Sequence, residues 1–225
     1  MSQESFDRAD QLEEAGRLGE ALAQWRELTA SSPTWNAMLR LGGCAKKLGR
    51  IEEAEQAFRR ALEINPRSSL ALLYLGMLAM DRRDYESAKE YLERAAAIKE
   101  HPSILTLLGV TLHHLQNDIG AEEAYRRAIR LDPSYEEAYF NLAVILRNTR
   151  PSDAEALFRR GLELDPDYAK AHRELGWLLY KHGSIPEAEF HLKRAIELSP
   201  DDAWAHRYLG SYRARTLLPG IGEEL

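Results

Sequence analysis

Apolar residues recur along this chain at i, i+3, i+4 intervals, with charged residues between them. Met38, Leu41, Cys44, Ala45 and Leu48 form one stripe, and Ala54, Ala57, Phe58, Ala61 and Ile64 form the next. That spacing follows the 3.6-residue turn of an α-helix and predicts pairs of amphipathic helices of about 12–15 residues each. Gly49 stands between the two stripes, and Gly16 and Gly183 mark the same kind of break elsewhere. A glycine there ends one helix in a left-handed turn and releases the chain for the next. Asn65-Pro66 and Asp165-Pro166 close the second stripe of a pair. Proline cannot continue a helix, and it restricts the residue before it.

The paired pattern repeats. Four segments end alike: Ala61-Leu62-Glu63-Ile64-Asn65-Pro66, Ala128-Ile129-Arg130-Leu131-Asp132-Pro133, Gly161-Leu162-Glu163-Leu164-Asp165-Pro166 and Ala195-Ile196-Glu197-Leu198-Ser199-Pro200. A second series runs Leu41-Gly42, Leu75-Gly76, Leu108-Gly109, Leu142-Ala143, Leu175-Gly176 and Leu209-Gly210. A third pairs an alanine with a large residue four positions on: Ala21 with Trp25, Ala54 with Phe58, Ala121 with Tyr125 and Ala154 with Phe158. Small residues on both helices of a pair let the backbones approach, and the large residue fills the remaining gap. The register predicts units of about 34 residues at 2–34, 35–68, 69–101, 102–134, 135–167 and 168–201. A capping helix over 202–215 and a Pro/Gly-broken tail over 216–225 complete the chain.

These three residue series resemble the tetratricopeptide repeat (TPR). The resemblance implies an all-α fold, a right-handed α-solenoid of antiparallel helix pairs. Its concave face is built from the first helix of each unit and is the usual ligand surface. Carried onto this sequence, the groove positions are Gln3, Phe6, Asp10 and Glu13 in the first unit and Asn36, Leu39, Gly43 and Lys46 in the second. The third unit offers Leu70, Leu73, Met77 and Met80 with Tyr74, and the fourth Ser103, Thr106, Val110 and His113. The fifth offers Glu137, Phe140, Val144 and Arg147 with Asn141, and the sixth Lys170, Arg173, Trp177 and Tyr180. Trp204, Arg207 and Ser211 come from the cap. From these, Leu73, Tyr74, Met77, Thr106, Val110, His113, Phe140, Asn141, Val144, Arg147, Lys170, Arg173, Trp177, Tyr180 and Arg207 make up the expected peptide- or protein-binding groove. The apolar members fit a second role as well, packing against the neighbouring helix. Some relatives grip a C-terminal carboxylate with a Lys/Asn/Asn/Lys/Arg clamp. Here Asn141 and Lys170 match it, but Thr106, Val110, Trp204 and Tyr208 stand where the other ligands belong, so the full clamp is absent.

Charge sharpens the expected ligand. The chain has 30 basic and 36 acidic residues, a net charge of −6, which argues against binding nucleic acid through a broad basic surface. Four of those six units fall in residues 2–34, whereas 203–215 holds three arginines and no acid. A groove running from acidic through apolar to basic and aromatic suits an amphipathic peptide or protein partner with an acidic end. No run of residues is long and apolar enough to span a membrane; the longest candidate, Ile104 to Leu115, carries His113 and His114. The first residues are acidic and show no apolar leader, so the expected location is cytoplasmic.

Catalytic and cofactor chemistry find no support. The glycines follow the repeat and form no phosphate loop. His113 and His114 project about 100° apart on a helix and do not converge on a metal. His172 and His206 occupy equivalent packing positions, and His101, His182 and His191 have no acidic or thiol partner at ligand spacing. The single cysteine, Cys44, lies in a small-residue run and reads as a buried thiol. The expectation is a non-catalytic interaction scaffold without a cofactor. Two alternatives are a self-assembling homo-oligomer whose groove takes its own tail or a neighbouring subunit, and a substrate-presenting partner of a separate enzyme.

Overall fold

A computed structural model describes residues 3–217 of the chain, with side chains placed from residue 4 to residue 211. The described residues form thirteen α-helices and no strand. The chain divides into two compact units, Met1–Asn117 and Asp118–Leu225. The first contains α1 (Gln3–Glu14), α2 (Leu18–Ser31), α3 (Trp35–Lys47), α4 (Ile51–Ile64), α5 (Ser69–Asp81), α6 (Tyr85–Ile98) and α7 (Pro102–His114). The second contains α8 (Asp118–Leu131), α9 (Glu136–Leu146), α10 (Pro151–Leu164), α11 (Ala169–Lys181), α12 (Ile185–Leu198) and α13 (Ala203–Leu217). Within each unit successive helices pack as antiparallel pairs, α3 on α4, α5 on α6, α9 on α10 and α11 on α12. α13 runs two residues past the expected cap. Residues 218–225, most of the expected tail, lie outside the described residues.

Helix starts are set by local chemistry. The Thr34, Ser68 and Asp84 side chains accept from the backbone N–H of Ala37, Ala71 and Ser87 at 3.2, 3.3 and 3.2 Å, satisfying donors that the first turn leaves unpaired. The turn inside a pair needs one left-handed residue. Gly16, Gly49 and Gly183 supply it with φ of 71°, 72° and 85°. Arg83 and Gln116 occupy the corresponding place at 61° and 62°, a conformation that costs a side-chain-bearing residue more than it costs glycine. The fifth repeat turns differently: α9 has 11 residues, and the N–H groups of Thr149 and Arg150 both return to the Leu146 carbonyl at 3.1 and 2.7 Å.

The close approach of paired helices is visible at the glycines. A Cβ on Gly42 would lie 2.5 Å from Phe58 Cε1, one on Gly76 2.9 Å from Leu92 Cγ, and one on Gly176 2.8 Å from Leu192 Cγ. In the fifth repeat an additional pair reverses the arrangement: Gly161 sits on the second helix, and Phe140 of the first lies over it, with Cε1 2.4 Å from where a Cβ would be. Phe140 is 3% exposed and stacks on Tyr168 at 4.3 Å. It packs the helix pair and presents no free ring. The substitution of Gly161 for the usual alanine is the sequence signal that accompanies this ring.

Unit 2 has a polar device at each repeat junction. Tyr139 Oη donates to the Pro133 carbonyl at 3.1 Å, His172 Nε2 to Pro166 at 3.0 Å and His206 Nε2 to Pro200 at 2.8 Å. Each tie joins the first helix to the proline turn six residues before it. Leu72 stands at the corresponding place after Pro66 and is fully buried without such a bond.

Candidate functional site

The expected groove residues do not all face outward. In unit 1, Leu73, Met77, Val110 and His113 are half-buried on α5 and α7. Tyr74 stacks on Phe58 at 4.8 Å between neighbouring helix pairs. Thr106 is 1% exposed, and its hydroxyl has no hydrogen-bond partner. The acidic first helix makes its own contacts: Glu13 accepts from the Trp25 indole at 2.7 Å and pairs with Lys47 at 3.3 Å, and Asp10 pairs with Arg40 at 3.2 Å. Burial pushes the Asp10 carboxyl above its ordinary range. Much of the acidity expected to face a ligand is therefore spent on α2 and α3.

Unit 2 brings more of the expected residues together. Arg147 caps the C-terminus of α9, the middle of α11 carries Arg173 and Trp177, and α13 carries Trp204, Arg207 and Tyr208. Arg147, Arg173, Glu174, Trp177, Trp204 and Tyr208 line a recess of about 220 Å³. A second recess of about 480 Å³ shares Arg173 and Trp204 and adds Lys170, Asp201 and Asp202. The Tyr208 ring lies 6.1 Å from Trp177 and 6.0 Å from Trp204. Cations already attend both indoles: Lys181 Nζ is 4.5 Å and Arg147 Cζ 5.7 Å from the Trp177 centroid, and Arg207 Cζ is 5.4 Å from that of Trp204. Asn141 and Val144 are half-buried on α9, and Tyr180 is half-buried at the end of α11.

Glu174 is the member of this cluster that sequence reasoning passed over. Its Oε2 accepts from Arg147 Nη1, and its Oε1 from Arg173 Nη2 at 3.0 Å and Nε at 3.3 Å. Arg173 Nη1 also donates to Asp202 Oδ2 at 2.9 Å. Burial works to lower the Arg173 pKa, but bonds to Glu174 and Asp202 outweigh it and hold the guanidinium above its usual range. The signal lay in the repeat register: Glu174 is the sixth-repeat counterpart of Tyr74 and Asn141, both expected in the groove.

Other clusters are structural. His172 Nε2–H donates to Pro166, which leaves its Nδ1 as the acceptor for His191 Nδ1–H at 2.8 Å. Cys44 is buried, its thiol lies 3.2 Å from the Leu18 carbonyl, and burial raises its pKa. Among the described residues no group of three or more His, Cys, Asp or Glu could hold a metal ion, and no helix is long and apolar enough to cross a membrane.

The family described as the cilia and flagella-associated protein 70 C-terminal domain matches residues 4–221. A TPR repeat-containing protein of Methanocaldococcus jannaschii is 30% identical over 41% of this chain and 16% of its own length. The chain spans between 11% and 25% of the first curated relatives it matches. Among solved structures, PilF of Pseudomonas aeruginosa superposes with a TM-score of 0.81 at 17% identity, covering 92% of this chain and 96% of its own. YrrB, described as a TPR protein with an unusual peptide-binding site, gives a TM-score of 0.65 at 22% identity over 81% of this chain and 96% of its own.

Proposed function

The chain belongs to the tetratricopeptide-repeat family described as the cilia and flagella-associated protein 70 C-terminal domain, and from that premise we propose that it is a non-catalytic scaffold docking a peptide segment of a partner protein on α9, α11 and α13. The observation that carries this reading is the recess between Arg147, Trp177, Trp204 and Tyr208. Trp204 keeps 53% of its surface exposed there. A large ring left in water beside arginines is the kind of side chain that dominates binding energy when a partner covers it. YrrB, which shares the fold, is described as having a peptide-binding site of its own, and that likeness supports the reading by analogy alone.

The test uses the chain immobilised against a lysate of its source cells, followed by hydrogen exchange on the complex with the captured partner. The paired substitution Trp177→Met with Trp204→Ser is expected to release the partner while leaving circular dichroism unchanged, and α9, α11 and α13 of the native chain are expected to gain protection in the complex. Equal capture by native and substituted chains, with protection confined to other helices, overturns the reading.

A further inference from the structure

The carboxylate of Glu174 is placed as a ligand would be. It lies between Arg147 and Arg173, each of its oxygens engaged by one of them, at the wall of a recess whose remaining sides are Trp177, Trp204 and Tyr208. The second acid of the cluster has a different task. Asp202 Oδ1 accepts the N–H groups of Trp204 and Ala205 at 3.0 Å each, which starts α13, while its Oδ2 holds Arg173. Glu174 caps no helix. Its carboxylate answers only the two guanidiniums, and even so the set is incomplete, because Arg147 Nε is buried with no acceptor. A buried guanidinium N–H without a partner is a standing cost that a rearranged arginine with a better-placed acceptor would remove.

The surrounding charge selects the guest. Lys170, Lys181 and Arg207 add three cations around Arg147 and Arg173, against Glu174, Asp201 and Asp202. Both indoles already have a cation near the ring, so a cationic guest meets like charge where it would otherwise bind. A carboxylate beside a flat apolar side chain meets the opposite sign and an exposed indole.

Taking α9, α11 and α13 as the docking face, we propose that Glu174 is a built-in competitor, occupying the Arg147–Arg173 site until an acidic peptide segment supplies its own carboxylate and lays an adjacent aromatic or large aliphatic side chain against Trp204. Exchanging one arginine-held carboxylate for another is close to neutral, since both lose similar hydration and gain similar bonds. The net attraction comes from covering Trp204 and from the excess of rim cations, so binding is moderate, fast and sensitive to salt. Glu174 sets the threshold: it keeps the arginines from holding stray anions and makes the apolar contact obligatory.

The experiment is fluorescence anisotropy on the full chain with labelled peptides in which a central phenylalanine is flanked by glutamates, glutamines or lysines. The glutamate peptide is expected to bind about tenfold or more tighter than the other two, and to weaken about tenfold as NaCl rises from about 50 to 500 mM. Glu174→Gln, which removes the competing charge, is expected to tighten the glutamate peptide about tenfold, and Trp204→Ala to weaken it by a similar factor. Unchanged or weaker binding in Glu174→Gln overturns the proposal, as does failure of the glutamate peptide to bind at all. A glutamine or lysine peptide that binds best and is released by Trp204→Ala overturns it too, while leaving the docking face in place. Thermal melts check that each variant folds, and Glu174→Ala replaces Glu174→Gln if the latter loses its cooperative melt.

Discussion

α5 in unit 1 and α11 in unit 2 are the same helix in packing and different helices in chemistry. Each has 13 residues, buries an alanine at its start (Ala71, Ala171), and buries two leucines around a central glycine: Leu75 and Leu78 about Gly76, Leu175 and Leu178 about Gly176. Each glycine approaches a leucine of the following helix with nearly equal closeness, 2.9 and 2.8 Å from a notional Cβ to Cγ. The remaining positions diverge. Leu72, Leu73, Tyr74 and Met77 of α5 become His172, Arg173, Glu174 and Trp177 in α11. The alanine, leucine and glycine positions at the close approach are held by volume, where one methyl group is felt. Positions between repeats or toward solvent are free to carry polar networks. The lesson is that the repeat specifies a packing frame, and function is written on the residues which that frame leaves unconstrained.

The largest test of the frame is Gly76→Leu against Gly176→Leu. Both insert a side chain where a Cβ alone already overlaps a leucine, so each is expected to cost about 3 kcal/mol or more in chemical denaturation. A near-neutral result at either site would break the equivalence.

The next contrast is acid sensitivity. His191 is 8% exposed. Its neighbours are His172 on α11, Arg159 on α10, and Glu187 on its own helix. Burial, then the charge of His172, lowers its pKa from the ordinary 6.5 to about 4. Between those values the unfolded chain binds a proton that the folded chain refuses. Stability contributed by the neutral pair is therefore complete above pH 6.5 and lost as the pH falls toward 4, by roughly 3 kcal/mol over the window. Urea melts of the native chain and His191→Leu between pH 7 and 4.5 check this: the variant starts less stable and shows a flatter pH slope. Equal slopes would assign the acid sensitivity to carboxylates elsewhere.

The smallest contrast is at the turns. Arg83 adopts φ of 61° where Gly183 adopts 85°. Arg83→Gly is expected to raise stability by about 0.5–1 kcal/mol, and Gly183→Arg to lower it by about 1 kcal/mol, read from denaturation midpoints. A loss in Arg83→Gly would mean that its side chain contributes more than its backbone strain costs.

Phe140 shows how far the pattern could be read. Its position among groove residues follows from the repeat register. Yet the ring is covered, because Gly161 opens a space on α10 that Ala61, Ala95, Ala128 and Ala195 close in other repeats. Trp177 and Trp204 stand at other groove positions of the register and keep contact with the recess. The difference lies in neighbours 21 to 31 residues away, beyond the span that helical periodicity describes. Glu174 was missed for a similar reason. A glutamate beside an arginine on one helix reads as a solvated pair, until Arg147 is brought from α9 to its other oxygen.

The sequence alone determined the helices, their pairing, the glycines of close approach and the left-handed turns, because each depends on spacing within one repeat and on side-chain volume. It also located the basic and aromatic character of residues 170–207. The folded arrangement settled which of those side chains are spent on each other. Asp10 and Glu13 are taken by Arg40, Lys47 and Trp25; His172 is joined to His191; Arg147 and Arg173 converge on Glu174. Ion pairs and hydrogen bonds of this kind act over about 3 Å and join residues from different helices, so they arise from the packing of helices and leave no period in the chain.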